Sequence, residues 1–276
     1  MIDTNEMTKW MRKNIIEMAY SAGKNGAHLG SALSCVEILA CLYSQIMDLT
    51  PQTILTPNHD VFVPSKAHCV LSYYSALAYT GFISDKELTT FDKNLSFLPG
   101  HPIKNLSKGI EFSGGSLGMG FSQGVGIALG MKQHHLNQRV FVLLGDGECD
   151  EGAIWEAAQS AAHYQLNNLV AIVDANKLQY DGFTSDIMNL YNLNNKFRSF
   201  GFYTLEVDGH NINELLSAFY KAFSECKQMP IAIIANTIKG KGISFMENKK
   251  QWHHSVLTTE QYHNALAELG GFNGNN

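Results

Sequence analysis

The chain has 276 residues, 45% of them hydrophobic and 16% charged, with a formal net charge of −5. That length suits one large α/β domain over residues 1–276 with a sizeable core. The acidic balance and the lack of a basic run argue against a nucleic-acid partner, and no apolar stretch approaches the roughly 20 residues of a membrane span. The amino terminus, MIDTNEMTKWMRKN, places polar and acidic residues where a secretory signal needs an apolar core, and five cysteines without a C-x-x-C pair read as reduced thiols. The expected compartment is the cytoplasm.

In chain order, helical spacing predicts helices over Met7 to Tyr20 and Ser34 to Met47, a short strand over Val61 to Pro64, and a helix from His68 to Tyr79. A glycine-rich helix follows from Gly118 to Met131, where Gly120, Gly124 and Ala128, four apart, offer a surface for close approach of another helix. Apolar runs at Val140–Leu144 and Leu169–Val173 read as buried parallel strands. Between them, Glu151 to Leu166 carries Ile154, Ala157, Ala158, Ala161 and Ala162 at helical spacing and forms the crossover of a βαβ unit. A further strand, helix and strand are expected over Thr204–Val207, Ile212–Cys226 and Ile231–Ala235. Strands alternating with helices mean a mostly parallel sheet covered on both faces. The glycine- and asparagine-rich end, from about residue 268 to 276, reads as a frayed tail.

The two strands of the βαβ unit end in polar residues, Gly145-Asp146-Gly147 and Asp174-Ala175-Asn176. A right-handed crossover brings both ends to one edge of the sheet, where open α/β folds hold ligands. A carboxylate and an amide oxygen there suit a hard divalent cation such as Mg²⁺, which completes its octahedron with phosphate and water. The flanking glycines let backbone pass close to a diphosphate. A plain GDG turn is the alternative for that motif taken alone, and no G-x-G-x-x-G follows a strand to suggest a dinucleotide fold. The paired strand ends resemble the GDG…N motif of thiamine diphosphate proteins. In that motif an Asp, an Asn and a backbone carbonyl two residues further hold the metal, here Asp146, Asn176 and Leu178.

Eleven histidines are present. His59, His134, His135, His163, His210, His254 and His263 stand in polar or helix-surface contexts and read as solvated. His28 in NGAHLGS, His68 in SKAHCV, His101 in LPGHPIK and His253 in QWHHSV sit beside small residues or sharp turns. Together these contexts resemble the transketolase family along essentially the whole chain. The resemblance implies thiamine diphosphate and Mg²⁺, with Ca²⁺ or Mn²⁺ able to substitute. It implies that His68 and His253 contact the diphosphate and that His28 and His101 line the substrate channel, where a neutral imidazole can donate or accept a proton. It places Gly115, Ser116 and Leu117, in FSGGSLGMG, against the aminopyrimidine side of the cofactor, with Gly145 and Gly147 beside its diphosphate. Glu151 and Glu156 take the family's place at an interface between protomers, relaying protons between active sites; for Glu151, a helix-dipole complement is an equal reading. The chain departs from the family pattern at Ala27, inserted between Gly26 and His28, at KAH around His68, and at His254, which replaces a glycine.

The family's activating glutamate and the main sugar-phosphate groups belong to a second, pyrimidine-binding domain with no counterpart in these residues. The resemblance therefore implies the diphosphate-binding subunit of a split transketolase, paired with a separate pyrimidine-binding chain in an α2β2 assembly and acting on sugar phosphates. A deoxyxylulose-phosphate synthase fragment, the α-chain of a 2-oxo-acid dehydrogenase and a non-catalytic cofactor-binding protein remain as alternatives.

Overall fold

The computed structural model describes residues 2–270, and the expected tail beyond them, 271–276, lies outside the described residues. Five strands, β1 (Val61–Pro64), β2 (Val140–Gly145), β3 (Leu169–Ala175), β4 (Tyr203–Asp208) and β5 (Ile231–Asn236), form one sheet in the order β1-β2-β3-β5-β4. Every pairing is parallel. Strands β1, β2, β3 and β5 are apolar on both sides because both sides are covered, whereas the edge strand β4 is half-buried and alternates with Thr204, Glu206 and Asp208. Phe141, Leu143, Val170, Ile172, Ile231 and Ile233 face one core, whereas Val140, Val142, Leu144, Ala171, Val173 and Ile234 face the other.

The first core is covered by α1 (Thr4–Ser21), α2 (Leu29–Ser34), α3 (Val36–Cys41), α4 (Val70–Tyr79), α5 (Asp85–Leu88), and, from later in the chain, the helices Ile212–Glu225 and Thr259–Glu268. The second is covered by α6 (Met119–Gln133), α7 (Gly152–His163) and, after the short α8 (Thr184–Ile187), α9 (Leu193–Ser199). The two later helices are α10 and α11. The crossover through α7 from β2 to β3 and the one through α10 from β4 to β5 lie on opposite faces and run in opposite directions along the sheet, so they converge on the adjacent strands β3 and β5, and a crevice opens at the carboxyl ends of those strands.

Three expectations change. The helix expected from Ser34 to Met47 begins at Leu29, breaks at Cys35 (φ −109°, ψ 16°) and ends in a π-turn over Leu42–Ile46. Its residues from Leu29 to Tyr43 are all buried, so no polar face marks its true start. The small-residue face of α6 meets the sheet side, not another helix: a Cβ on Gly120 would lie 2.6 Å from Ser65 Cα, just past β1, and one on Gly124 2.5 Å from Val142 Cγ2 of β2. Helices α5, α8, α9 and α11 form where the apolar spacing predicts none.

Candidate active site

The two strand ends meet as the βαβ reading requires. Gly145 of β2 is in register with Asp174 of β3. Asp146 and Asn176 are buried, and with Leu178, Gly145 and Gly147 they line a cavity of about 170 Å³. Asp146 accepts hydrogen bonds from the backbone N–H of Gly147 (2.8 Å) and of Lys177. Burial and the Asp174 carboxylate push its pKa up to about 6, a desolvated charge that a bound cation would relieve. The Asn176 amide is oriented by its NH₂, directed at Asp174 Oδ2 (3.3 Å) and Ser34 Oγ (3.5 Å), while its Oδ1 accepts from Leu178 N–H at 3.1 Å.

Asp174 lies beneath this cavity, bonded to Lys66 and Asn176, which line it. It is fully buried and accepts from Lys66 Nζ, Ser34 Oγ, Thr237 Oγ1 and Asn176 Nδ2. Burial alone would raise its pKa, but the Lys66 ammonium and the hydroxyl donors hold it below the ordinary carboxylate range. Lys66, equally buried, also donates to the Ser31 carbonyl at 3.1 Å.

Two further groups converge on the same cavity. Lys239, 1% exposed, reaches it from the turn after β5, placing Nζ 2.8 Å from the Leu178 carbonyl oxygen and 2.9 Å from His253 Nδ1. That contact makes Nδ1 an acceptor and leaves the His253 proton on Nε2. Burial and the neighbouring Lys66 lower the Lys239 pKa to about 8. Ser31 is buried beside it, and its Oγ has no hydrogen-bond partner among the described residues. An orphaned hydroxyl, a desolvated ammonium and the backbone of Gly145 and Gly147 in one small cavity fit an anion, as the Asp146, Asn176 and Leu178 oxygens fit a hard cation. Among the described residues no group of three or more His, Cys, Asp or Glu side chains gathers for a metal, so any ion here would rely on that mixed oxygen set.

Four imidazoles surround His28. Its ring centroid lies 5.4 Å from that of His68, 5.7 Å from His101, 5.5 Å from His253 and 4.6 Å from His254. His68 and His253 line the small cavity; His28, His101 and His254 line a second of about 560 Å³. Burial, then the neighbouring imidazoles and Lys239, push His28 down to about 3, and burial with Lys239 and Lys66 pushes His253 to about 4. His68 and His101 are lowered as well, each chiefly by burial. These four rings are therefore neutral at neutral pH.

The remaining expected residues sit as follows. Leu117 lines the small cavity. Gly115 and Ser116 are both exposed, and a Cβ on Gly115 would touch the His101 ring at 3.4 Å, so this loop runs beside the imidazoles. Glu151 and Glu156 are exposed and line neither cavity. Glu148, to which the sequence motif assigns no role, is buried. It accepts from Ser65 Oγ, Gly118 N–H (2.9 Å) and Gly145 N–H (3.0 Å), tying the end of β1, the 115–118 loop and the GDG turn together.

The expectation of seven solvated histidines fails for two and is incomplete for a third. His59 is buried and bridges Glu111 Oε1 (2.8 Å) and the Thr56 carbonyl. His210 bridges Glu37 Oε2 (3.0 Å) and the Ile238 N–H (2.8 Å), steadying the turn that carries Lys239. His254 is exposed, yet its ring packs on His28. Each has a partner distant in sequence, which is why local context misreads them.

The sequence matches the family described as "Transketolase, thiamine diphosphate binding domain" over residues 5–276. The chain belongs to this transketolase family. It is 40% identical over 258 residues to an apulose-4-phosphate transketolase subunit of Phocaeicola vulgatus, covering 94% of this chain and 90% of the relative. It is also 40% identical over 269 residues to the 6-deoxy-6-sulfo-D-fructose transketolase subunit SqwG of a Clostridium strain, covering 97% and 96%. Human transketolase is 37% identical over 262 residues, but there the match spans 94% of this chain and 41% of the human protein. The transketolase of Leishmania mexicana superposes with a TM-score of 0.88 at 25% identity, covering 98% of this chain and 42% of that one. The sheet and its flanking helices thus have the fold of the thiamine diphosphate-binding part of transketolase. No described helix is long and apolar enough to cross a membrane.

Proposed function

We propose that this chain is the diphosphate-binding subunit of a two-chain transketolase that transfers a two-carbon ketol unit from a ketose phosphate to an aldose acceptor. The observation that carries this reading is a pair of adjoining cavities whose linings meet at the His28, His68 and His253 rings. The cation-suited oxygens of Asp146, Asn176 and Leu178, the Lys239 ammonium and the orphaned Ser31 hydroxyl form one end, and His28 joins it to an imidazole-lined channel. Relatives of similar length are named as single subunits of their transketolases, which supports a separate partner chain.

Thiamine diphosphate, when bound, supplies a nucleophilic thiazolium carbon that cleaves a ketose beside its carbonyl. Asp146, Asn176 and the Leu178 carbonyl would hold the Mg²⁺, with Lys239, Ser31, His68 and His253 holding the diphosphate. His28 and His101 face the sugar as neutral imidazoles, each offering one donor and one acceptor to hydroxyl and carbonyl oxygens. Their lowered basicity suits donation from a neutral N–H, since the imidazolium would form only in acid. Gly115, Ser116 and Leu117 would meet the aminopyrimidine side, and Glu151 and Glu156, both exposed, are free to enter an interface in an α2β2 assembly.

The test is two-carbon transfer assayed with this chain, with a candidate pyrimidine-binding chain, and with both. Activity is expected only from the mixture; full activity from this chain alone overturns the split-enzyme reading. In the assembled complex, Asp146→Ala should weaken Mg²⁺-dependent cofactor binding at least ~100-fold by calorimetry, since loss even of outer-shell partners costs about 10–100-fold. Unchanged affinity removes Asp146 from the metal site.

A further inference from the structure

The channel beyond His28 holds a side chain that the reaction so far leaves unused. His254 sets its ring edge-on to His28 at an interplanar angle of 70°, nearer than any of the other imidazoles around it. Backbone builds this contact. Ala27 and Ser255 exchange two hydrogen bonds, Ala27 N–H to Ser255 O at 2.9 Å and Ser255 N–H to Ala27 O at 3.0 Å, which clamps the segment after Trp252 onto the residue preceding His28. Gly26 gives the ring its room: its φ is +69°, and a Cβ there would lie 3.0 Å from both His254 Cε1 and the Ser255 carbonyl oxygen. Any larger residue at position 26 would be strained and would displace the imidazole.

The polar atoms of this ring are unspent. His254 is exposed, and its ring nitrogens make no hydrogen bond to any described residue, whereas His253 Nδ1 is engaged by Lys239. Its place along the channel decides what it meets. His68 and His253 stand at the cofactor end, His28 comes next, and His101 and His254 stand on the outer side. A substrate whose reacting carbonyl lies toward the cofactor end therefore extends its remaining carbons past His254. An imidazole there can present a ring N–H donor and a ring nitrogen acceptor, the complement of a hydroxyl.

We infer that His254 is a specificity-determining residue: its imidazole hydrogen-bonds a hydroxyl of the aldose acceptor next to the carbonyl carbon and so selects hydroxylated acceptors over deoxy ones. The inference rests on the two-carbon-transfer reading. The assembled two-chain enzyme is assayed with the aldose phosphate it turns over best and with the 2-deoxy analogue of that sugar. The wild type, His254→Phe and His254→Asn are compared, with thermal unfolding and cofactor affinity confirming that each variant is folded. Phe keeps a ring against His28 but loses both nitrogens; Asn keeps a donor and an acceptor. A hydrogen bond of ordinary net strength corresponds to about three- to tenfold. His254→Phe is thus expected to lower kcat/KM by that factor for the hydroxylated acceptor, and by less than about twofold for its deoxy analogue, with His254→Asn recovering part of the loss. An equal fall for both acceptors, or no fall for either, overturns the inference while the reaction stands. A wild-type complex that transfers no two-carbon unit to any acceptor overturns the underlying reading instead.

Discussion

The floor beneath the small cavity and the segment that follows it are neighbours in sequence and opposite in construction. At the floor, Asp174 and Lys66 are 0% and 1% exposed, and the Asp174 carboxylate is saturated by the Lys66 ammonium, two hydroxyls and the Asn176 amide. A few residues on, Tyr180, Phe183, Ile187, Met188 and Tyr191 are all exposed, Tyr191 at 87%. Leu117, Met119 and Ile127 add exposed apolar surface along the start and outer face of α6. The floor satisfies its own polar groups inside one chain and so stands ready before any ligand arrives. Apart from Tyr180, whose ring stands 5.3 Å from that of His253, these exposed side chains gain little from the fold of this chain, and their apolar surface is of the kind that marks an interaction site.

The sharpest way to break this contrast is to unbalance the floor. Asp174→Asn leaves the buried Lys66 ammonium with the Ser31 carbonyl as its remaining oxygen partner of full strength. Removing one partner of a buried ion pair costs about 3–5 kcal/mol, which for a domain this large lowers the melting temperature by roughly 6–20 °C. Calorimetric melting of the isolated chain checks it, and a fall under about 2 °C would mean the pair does not hold the floor. Glu148→Gln should cost less. Its three donors all require an acceptor, and the amide turns one NH₂ toward a donor, for about 1–3 kcal/mol. Cofactor affinity in the assembled enzyme should fall with it, because Glu148 fixes Gly118 at the end of the 115–118 loop. A destabilised variant with unchanged affinity would separate the strap from the site.

How far these two regions are legible follows from the range of their contacts. Strand β1 falls on the expected residues, and Asp146 and Asn176 stand out, because apolar runs stopped by polar residues are local signals. Lys66 and Lys239 do not stand out, because a lysine reads as solvated until its partner is known, and the partner of Lys66 is 108 residues away. Ser31 hides in a glycine- and serine-bearing stretch that folds as a wholly buried helix. Other signals are present and simple: Thr258 with Gln261, and Ser84 with Glu87, are complete capping boxes that announce α11 and α5 even where the apolar spacing does not. The exposed segment offers neither periodicity nor a motif, so nothing in it foretells the short helices α8 and α9.

The imidazole cluster lies between the two extremes and makes a prediction about acid. His28 has its pKa pushed down to about 3 in the folded chain, against about 6.5 when unfolded. The unfolded state therefore takes up the proton first. The His28 contribution to stability is whole above about pH 6.5 and is lost progressively as the pH falls toward 3. For this half-buried ring the loss by pH 5 is about 1 kcal/mol once solvent screening is allowed for. Denaturant melts of the cofactor-free chain at pH 7 and pH 5 should show His28→Asn reducing the difference by that amount. His253 and His68 shift the same way, so part of the slope should survive. An unchanged slope would mean that the ring is not desolvated.

The smallest effect on the isolated chain is expected where the comparison began, at the exposed segment. Met188 is 56% exposed and Tyr191 87%, so replacing both with serine removes side chains that the fold scarcely buries. Surface changes of this kind stay within about 0.5 kcal/mol, and the melting temperature of Met188→Ser with Tyr191→Ser should match that of the wild type. If the proposed pyrimidine-binding chain packs here, the same two side chains become buried on assembly. Full burial of one large apolar side chain is worth about 1.5–3 kcal/mol, so affinity for the partner should fall more than about tenfold. Melting of the double variant and titration of it with the partner give the two numbers separately. A loss of chain stability comparable to that of Asp174→Asn would show that this segment supports the fold after all. Unchanged stability with unchanged partner affinity would move the interface elsewhere, toward Met119 and Ile127 on the outer face of α6.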